Sequence, residues 1–211
     1  MAEHDPKNDR VGTFAVGLHV LGATPIDPDE AADLIPATVR TLPDLDAFEQ
    51  LNILAAMEWA LRPARRASVD RVLTEQYLLD LHRRMFDQTW RWAGQLRRSD
   101  KNIGVHWPGI RIALRERLND ARHWMASGIH APDEIAGRFH HALVLVHPFS
   151  NGNGRWSRLV ADGLLHAQRH TPLTWGAAGL SADGASRAAY LSALRAADQG
   201  DFTGLVKFAR G

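Results

Sequence analysis

The sequence predicts an all-α domain that carries a short β-hairpin flap and an extended N-terminal arm. Three observations lead there. From about Asp46 onward, apolar residues recur three and four apart in segment after segment, the period of a helix buried on one face. Between Arg97 and Trp107 that period gives way to weak alternation around turn formers, Ser99-Asp100-Lys101-Asn102-Ile103-Gly104-Val105, which reads as a hairpin. Residues 1–45 show little periodicity and carry Pro25, Pro28, Pro36 and Pro43, which leaves room for one short helix near Pro28 to Leu34.

Each helix has its own local reason. Asp46 to Leu61 is rich in Ala, Leu, Glu and Met and stops before Pro63. Thr74 is placed to cap a helix reaching about Asp87, with Tyr77, Leu78, Leu81 and Met85 on one stripe. Ile110, Leu114, Leu118, Ala121 and Met125 form the next stripe, and Gly128 ends it. Pro132 and Asp133 open a helix with Ile135, Phe139, Leu143 and Val146 on one face; its last turn, Ala142 to Val146, is apolar all round and marks it as central. A further helix runs from a glycine turn to about His166. Two more lie near Ala185–Ala197 and Phe202–Arg210.

The bulk properties narrow the functional classes. A chain of 211 residues supports one sizeable domain, divided here into the arm, 1–45, and the helical domain, 46–211. The net charge of +1 provides no field for nucleic acid or a membrane surface. The chain has no cysteine, so disulfides and thiolate zinc sites are excluded. No apolar run approaches membrane-spanning length, and the expected location is the cytoplasm. The arginine runs Arg62 to Arg71 and Arg111 to Arg122 read as solvated faces.

The chemistry concentrates in His147 to Arg158, His-Pro-Phe-Ser-Asn-Gly-Asn-Gly-Arg-Trp-Ser-Arg. Pro148 ends one helix, and Gly152 and Gly154 permit a tight turn with positive φ and close approach to a ligand. The next helix starts at Asn153 to Arg155, so its free N–H groups and positive dipole end face the loop, an anion cradle. Arg155 and Arg158, three apart, are placed to grip phosphate oxygens. His147, beside that cradle, can take a proton from an attacking hydroxyl. Phe149 is the anchor that keeps the loop rigid. His140, His141 and His147 form no metal set, because adjacent helical side chains diverge by about 100° and no carboxylate or cysteine completes a cluster. Trp156 fits either a core position or a shield over the phosphate site, and Tyr190 reads as packing.

These twelve residues resemble the signature of the Fic family, His-Pro-Phe-x-Asp/Glu-Gly-Asn-Gly-Arg-x-x-Arg, departing only at Asn151. The likeness extends over about residues 46–209, through Leu78 to Phe86 and Trp92-Ala93-Gly94-Gln95-Leu96-Arg97. Thr24-Pro25 and Leu34-Ile35-Pro36 add a likeness to a bacterial subgroup called mobile mystery protein B. The resemblance implies a protein adenylyltransferase: a Ser, Thr or Tyr hydroxyl of a target attacks the α-phosphate of ATP and pyrophosphate leaves. It makes His147 the base. Gly152, Asn153, Gly154, Arg155 and Arg158 then hold the phosphates, and Asn151 stands where the Mg²⁺-ligating carboxylate is usual. The flap, Lys101, Asn102, Ile103, Gly104 and Val105, docks the target by strand addition. Tyr190 could then also line an adenine pocket. Transfer of UMP or a phosphoryl group, and a catalytically silent Fic-fold binding module, stay open beside AMP transfer. Many relatives restrain themselves through Ser/Thr-x-x-x-Glu-Gly/Asn. No glutamate of this chain precedes Gly or Asn, and Glu49 is followed by Gln50. The expectation is a toxin-like enzyme that is unrestrained or held by a separate antitoxin-like partner.

Overall fold

The computed structural model describes residues 32–39, 41–176 and 184–211. Its helices are α1 (Leu42–Leu61), α2 (Val69–Val72), α3 (Glu75–Phe86), α4 (Ile110–Ser127), α5 (Pro132–Val146), α6 (Asn153–Ala167), α7 (Gly184–Asp198) and α8 (Thr203–Arg210), with 3₁₀ turns at Pro63–Arg65 and Trp107–Gly109. Among the described residues there is no strand beyond one isolated antiparallel bridge, Leu34 to Trp90. The architecture is the all-α one that the periodicity predicts.

Helices α5 and α6 form the centre and pack most extensively on each other. The predicted stripes are the buried ones: Tyr77, Leu78, Leu81 and Met85 on α3, Ile110, Leu114, Leu118 and Ala121 on α4, and Ile135, Phe139, Leu143 and Val146 on α5. Each large apolar side chain so buried contributes roughly 1.5–3 kcal/mol. Helix α3 closes on α1, α4 flanks α5, and α7 and α8 pair with each other beside it. Thr74 caps α3 by accepting from the Tyr77 N–H at 3.2 Å, and Gly128 ends α4 at φ +63°. The run from His147 to Gly152 is thus a bend between the two most buried helices.

Two sequence expectations change. Helix α1 begins at Leu42, inside the segment read as arm. Thr41 and Asp44 form a capping box, Thr41 N–H to Asp44 Oδ2 at 2.9 Å and Asp44 N–H to Thr41 Oγ1 at 3.3 Å. Pro43 falls in the first turn, where no N–H is missed. The residues just before it are docked, with Ile35 N–H on the Thr89 carbonyl and Arg91 N–H on that of Asp33, both at 2.9 Å. Of the short helix expected at Pro28 to Leu34, residues 28–31 lie outside the described residues, and Ala32 to Leu34 form a turn and the bridge.

The second change is the flap. Lys101 to Val105 are a loop of bends rather than a hairpin. A hairpin satisfies its backbone across its own strands; here the partners come from elsewhere. The side chain of Arg97 donates to the carbonyls of Ser99 (2.7 Å) and Val105, and the Val105 N–H reaches the Val146 carbonyl at 3.3 Å. The loop is fastened to the end of α5 instead of to itself.

Candidate active site

His147 ends α5 in the left-handed conformation, φ +50° and ψ +61°, with its N–H on the Leu143 carbonyl at 3.1 Å. A non-glycine residue there carries a cost of about 1–2 kcal/mol, sustained only where surrounding contacts impose it. The His147 carbonyl accepts from Arg97 Nε at 2.7 Å. The imidazole is nearly buried, and burial lowers its pKa from 6.5 to about 4. The charges of Arg97 and Lys101 add to the lowering, and a backbone hydrogen bond with Val144 opposes it. At neutral pH His147 is an uncharged imidazole, the form that accepts a proton.

The loop after it is held by side chains of its own motif and by α3. Asn153 closes it from within: its Oδ1 accepts from the Phe149 N–H and its Nδ2 donates to the Phe149 carbonyl, both at 2.9 Å. Phe149 is fully buried, edge-on to Trp156 at 4.9 Å. The Trp156 Nε1–H donates to the Leu78 carbonyl at 3.0 Å, so that ring is core and shields no ligand. His82 of α3 is the post beneath the loop. It stacks on Phe149 at 3.6 Å, its Nδ1 accepts from the Gly94 N–H at 3.0 Å, and its Nε2 therefore donates to the Asn151 carbonyl at 3.1 Å. Sequence reasoning gave His82 no role. The available signal was a polar residue set four after Leu78 and three before Met85, in the middle of a core stripe.

The glycines divide their labour. A Cβ on Gly152 would lie 2.4 Å from the Phe86 ring, and its φ is +76°. Gly152 is therefore demanded by the core. Gly154 has open space where a side chain would stand, so its backbone is the one a ligand can approach. Helix α6 starts with no side-chain cap, which leaves its first-turn N–H groups directed at that space. The Asn153 amide is occupied and the Gly152 Cα faces Phe86, so neither residue has a side-chain position open to a ligand. The Gly152 N–H is itself taken, donating to Asn151 Oδ1 at 2.7 Å.

The two arginines leave α6 toward different neighbours, yet Arg155 is near enough for its charge to act on Arg158. Arg155 pairs with Glu49 of α1 at 2.6 Å and lies over the Phe86 ring. Arg158 lies over the Tyr190 ring at 5.7 Å, in the field of Arg155, Asp162 and Arg187. Glu49, set aside as a restraining residue on sequence grounds, reaches the motif after all. It does so through the first arginine, and it also accepts from Trp90 Nε1 at 2.7 Å. Tyr190 is packed, with its hydroxyl on His140 Nε2 at 2.9 Å, and His141 pairs with Asp198 at 2.8 Å. No group of three His, Cys, Asp or Glu able to hold a metal occurs among the described residues. Exposed Asn102, Ile103 and Gly104 form the tip of the loop over His147.

The buried histidines predict acid lability. Burial holds His82 at about 3, His147 at about 4 and His140 well below 6.5. The unfolded chain takes up protons near pH 6.5 and the native state does not, so stability is full above that value and falls as pH drops below it. Each histidine contributes up to about 1.4 kcal/mol per pH unit. Asp162, raised by burial to about 7, acts with the opposite sign and offsets roughly one of them. The midpoint of thermal unfolding, followed by calorimetry, should therefore fall by about 5 °C or more per pH unit below 6.5. A flat profile down to pH about 5 would contradict the burial of these rings.

Residues 72–165 match the Fic/DOC family model. Two relatives named protein adenylyltransferase Fic, from Drosophila virilis and Aedes aegypti, are 29% and 27% identical, each over 80% of this chain and 34% of its own length. The chain thus spans about a third of the curated relatives it matches. Among solved structures, the BepC protein of Bartonella tribocorum with bound AMPPNP aligns with TM-score 0.61 at 18% identity, covering 82% of this chain and 87% of that one. A Fic domain containing signaling protein of Bacteroides thetaiotaomicron aligns with TM-score 0.58 at 15% identity, over 96% and 82%. Fic-1 of C. elegans aligns with TM-score 0.60 at 21% identity, over 99% and 62%. The segment that builds the bend, its supporting helix α3 and the loop above it lies within the residues that match the Fic/DOC family model, and the chain shares the fold of these Fic-domain structures.

Proposed function

We propose that this chain transfers AMP from ATP to a hydroxyl of a protein side chain. The observation that carries the reading is an uncharged imidazole held at the end of α5, joined by a rigid bend to the uncapped start of α6. The target hydroxyl oxygen attacks the α-phosphorus, the bond to the bridging β-phosphate oxygen breaks, and pyrophosphate departs. His147 takes the hydroxyl proton. The first-turn N–H groups of α6, open at Gly154, receive phosphate oxygens, and Arg158 with the outer face of Arg155 adds positive charge. The names of the insect relatives and the AMPPNP bound in the Bartonella protein support ATP as donor.

Mg²⁺ fits this site only as an ion carried by the triphosphate. The residues supply one neutral oxygen, Asn151 Oδ1, which already accepts from the Gly152 N–H and keeps a second lone pair. When bound, the ion would neutralise charge on the phosphates. The target would dock on the loop Lys101 to Val105, where exposed Ile103 leads the chain over the base. A separate antitoxin-like protein is the proposed restraint, and the cytoplasm the proposed location. No helix among the described residues is long and apolar enough to cross a membrane.

The test is incubation of the purified chain with ATP labelled at either the α- or the γ-phosphate, followed by intact-mass measurement. The expected result is α-label on protein with the mass of one AMP per site. Label arriving from the γ-position alone would replace AMP transfer with phosphoryl transfer.

A further inference from the structure

We propose that Arg97 is a positioning residue that ties the 98–106 loop to the imidazole of His147, so that the docked target and the base are set by one side chain. This rests on the transferase reading above. No part of the Arg97 side chain is exposed. Its guanidinium spends its donors on three backbone carbonyls: Nε on His147 at 2.7 Å, Nη1 on Ser99 at 2.7 Å and Nη2 on Val105. Its own N–H donates to the Pro148 carbonyl at 3.0 Å. One carbonyl thus belongs to the base and two to the opposite ends of the docking loop, a fork that lysine cannot reproduce.

Two further features bind loop and base together. Gly104, at φ +104°, sits so close that a Cβ there would lie 2.6 Å from His147 Cβ and 2.9 Å from Arg97 Nη2. The loop rests directly on the base, and only glycine allows it. Asp100, 3.6 Å from Arg97 Nη1, accepts from the Trp107 N–H at 2.9 Å and pairs with His106 at 2.7 Å, which anchors the far side of the loop. The charges bearing on His147 come from that loop, Arg97 and Lys101, while α5 contributes the Val144 carbonyl. Arg97 therefore acts twice on the base. It orients the residue through its carbonyl, and its fixed charge opposes protonation of the ring.

The experiment compares the full chain with R97K, R97Q and G104A. His147 is titrated by NMR of labelled histidine, Val105 amide exchange is followed, and incorporation of α-labelled ATP into the chain itself is timed. In wild type the ring should titrate near 4. R97Q should move that midpoint upward by about one pH unit, whereas R97K keeps it nearly in place because the charge remains. Both should speed Val105 exchange about tenfold or more, as the fork is lost. G104A retains Arg97 but lifts the loop, so exchange accelerates and the midpoint rises toward 6.5 as the ring gains solvent. Should R97Q fail to fold, G104A and R97K decide the matter. A folded R97Q or G104A with the wild-type midpoint and wild-type exchange would overturn the proposal. If wild type transfers no label yet the midpoint and exchange shift as stated, the coupling stands and the transferase reading falls.

Discussion

Replacement of His147 by Ala should lower AMP transfer by about 10²–10⁴-fold while leaving ATP affinity little changed. On the proposed reading the imidazole handles the proton and the phosphates are held elsewhere. The proposed phosphate donors belong to α6, and the loop before it is held by Asn153 and His82. Initial rates with α-labelled ATP and calorimetric ATP titration separate the two quantities. The wild-type pH profile adds a second mark. Since the proposed active form is the neutral ring, whose pKa burial lowers to about 4, the rate per folded molecule should show no titration step at 6.5. An acid limb centred at 6.5 would mean a solvated histidine, and activity retained in the alanine variant would remove His147 from the chemistry.

Loss of the Arg155–Glu49 pair should be strongly asymmetric. Glu49 is buried at 3% side-chain exposure and Arg155 is one-third exposed. Arg155→Ala leaves a carboxylate inside the protein that keeps the Trp90 Nε1–H as donor but loses its cation, at a cost of about 3 kcal/mol or more. Glu49→Gln leaves a guanidinium that can turn to water, at a cost of about 1 kcal/mol. Unfolding in urea should rank R155A well below E49Q, and the double variant should recover much of the R155A loss. Equal costs would show that the pair is not the tether between α1 and α6. The same variants address restraint. If E49Q strengthens ATP binding strongly, Glu49 withholds Arg155 from the phosphates and the restraint is internal.

Much of this molecule was legible in its residues because the information was local. The stripes of α3, α4 and α5 repeat at the helical period, and burying them is the main gain of folding, so their faces follow from spacing alone. The motif was legible for a similar reason. A helix end, a proline, glycines at positive φ and a helix start are contiguous in sequence, and so are the donors they leave open. Even the capping box that moves α1 back to Leu42 lies within four residues. It was missed because the prolines around it suggested a breaker, whereas Pro43 stands in the one turn that tolerates it.

What spacing could not show is which polar groups meet across the fold. His82 to Asn151, Arg97 to His147 and Glu49 to Arg155 join residues far apart in the chain, and in each pair at least one partner is buried. A buried hydrogen-bonding group must find a partner, yet the partner's identity depends on how helices cross, which no short-range pattern encodes. The loop above His147 followed the same rule: its residues allow a hairpin, and the nearby arginine fork and the end of α5 satisfied its backbone another way. Local spacing in the residues was enough for a helical domain with His147 at the bend between its two central helices. The neutral state of the His147 ring, the open space at Gly154 and the pairing of Arg155 with Glu49 follow from tertiary structure alone, because burial and long-range pairing set those properties.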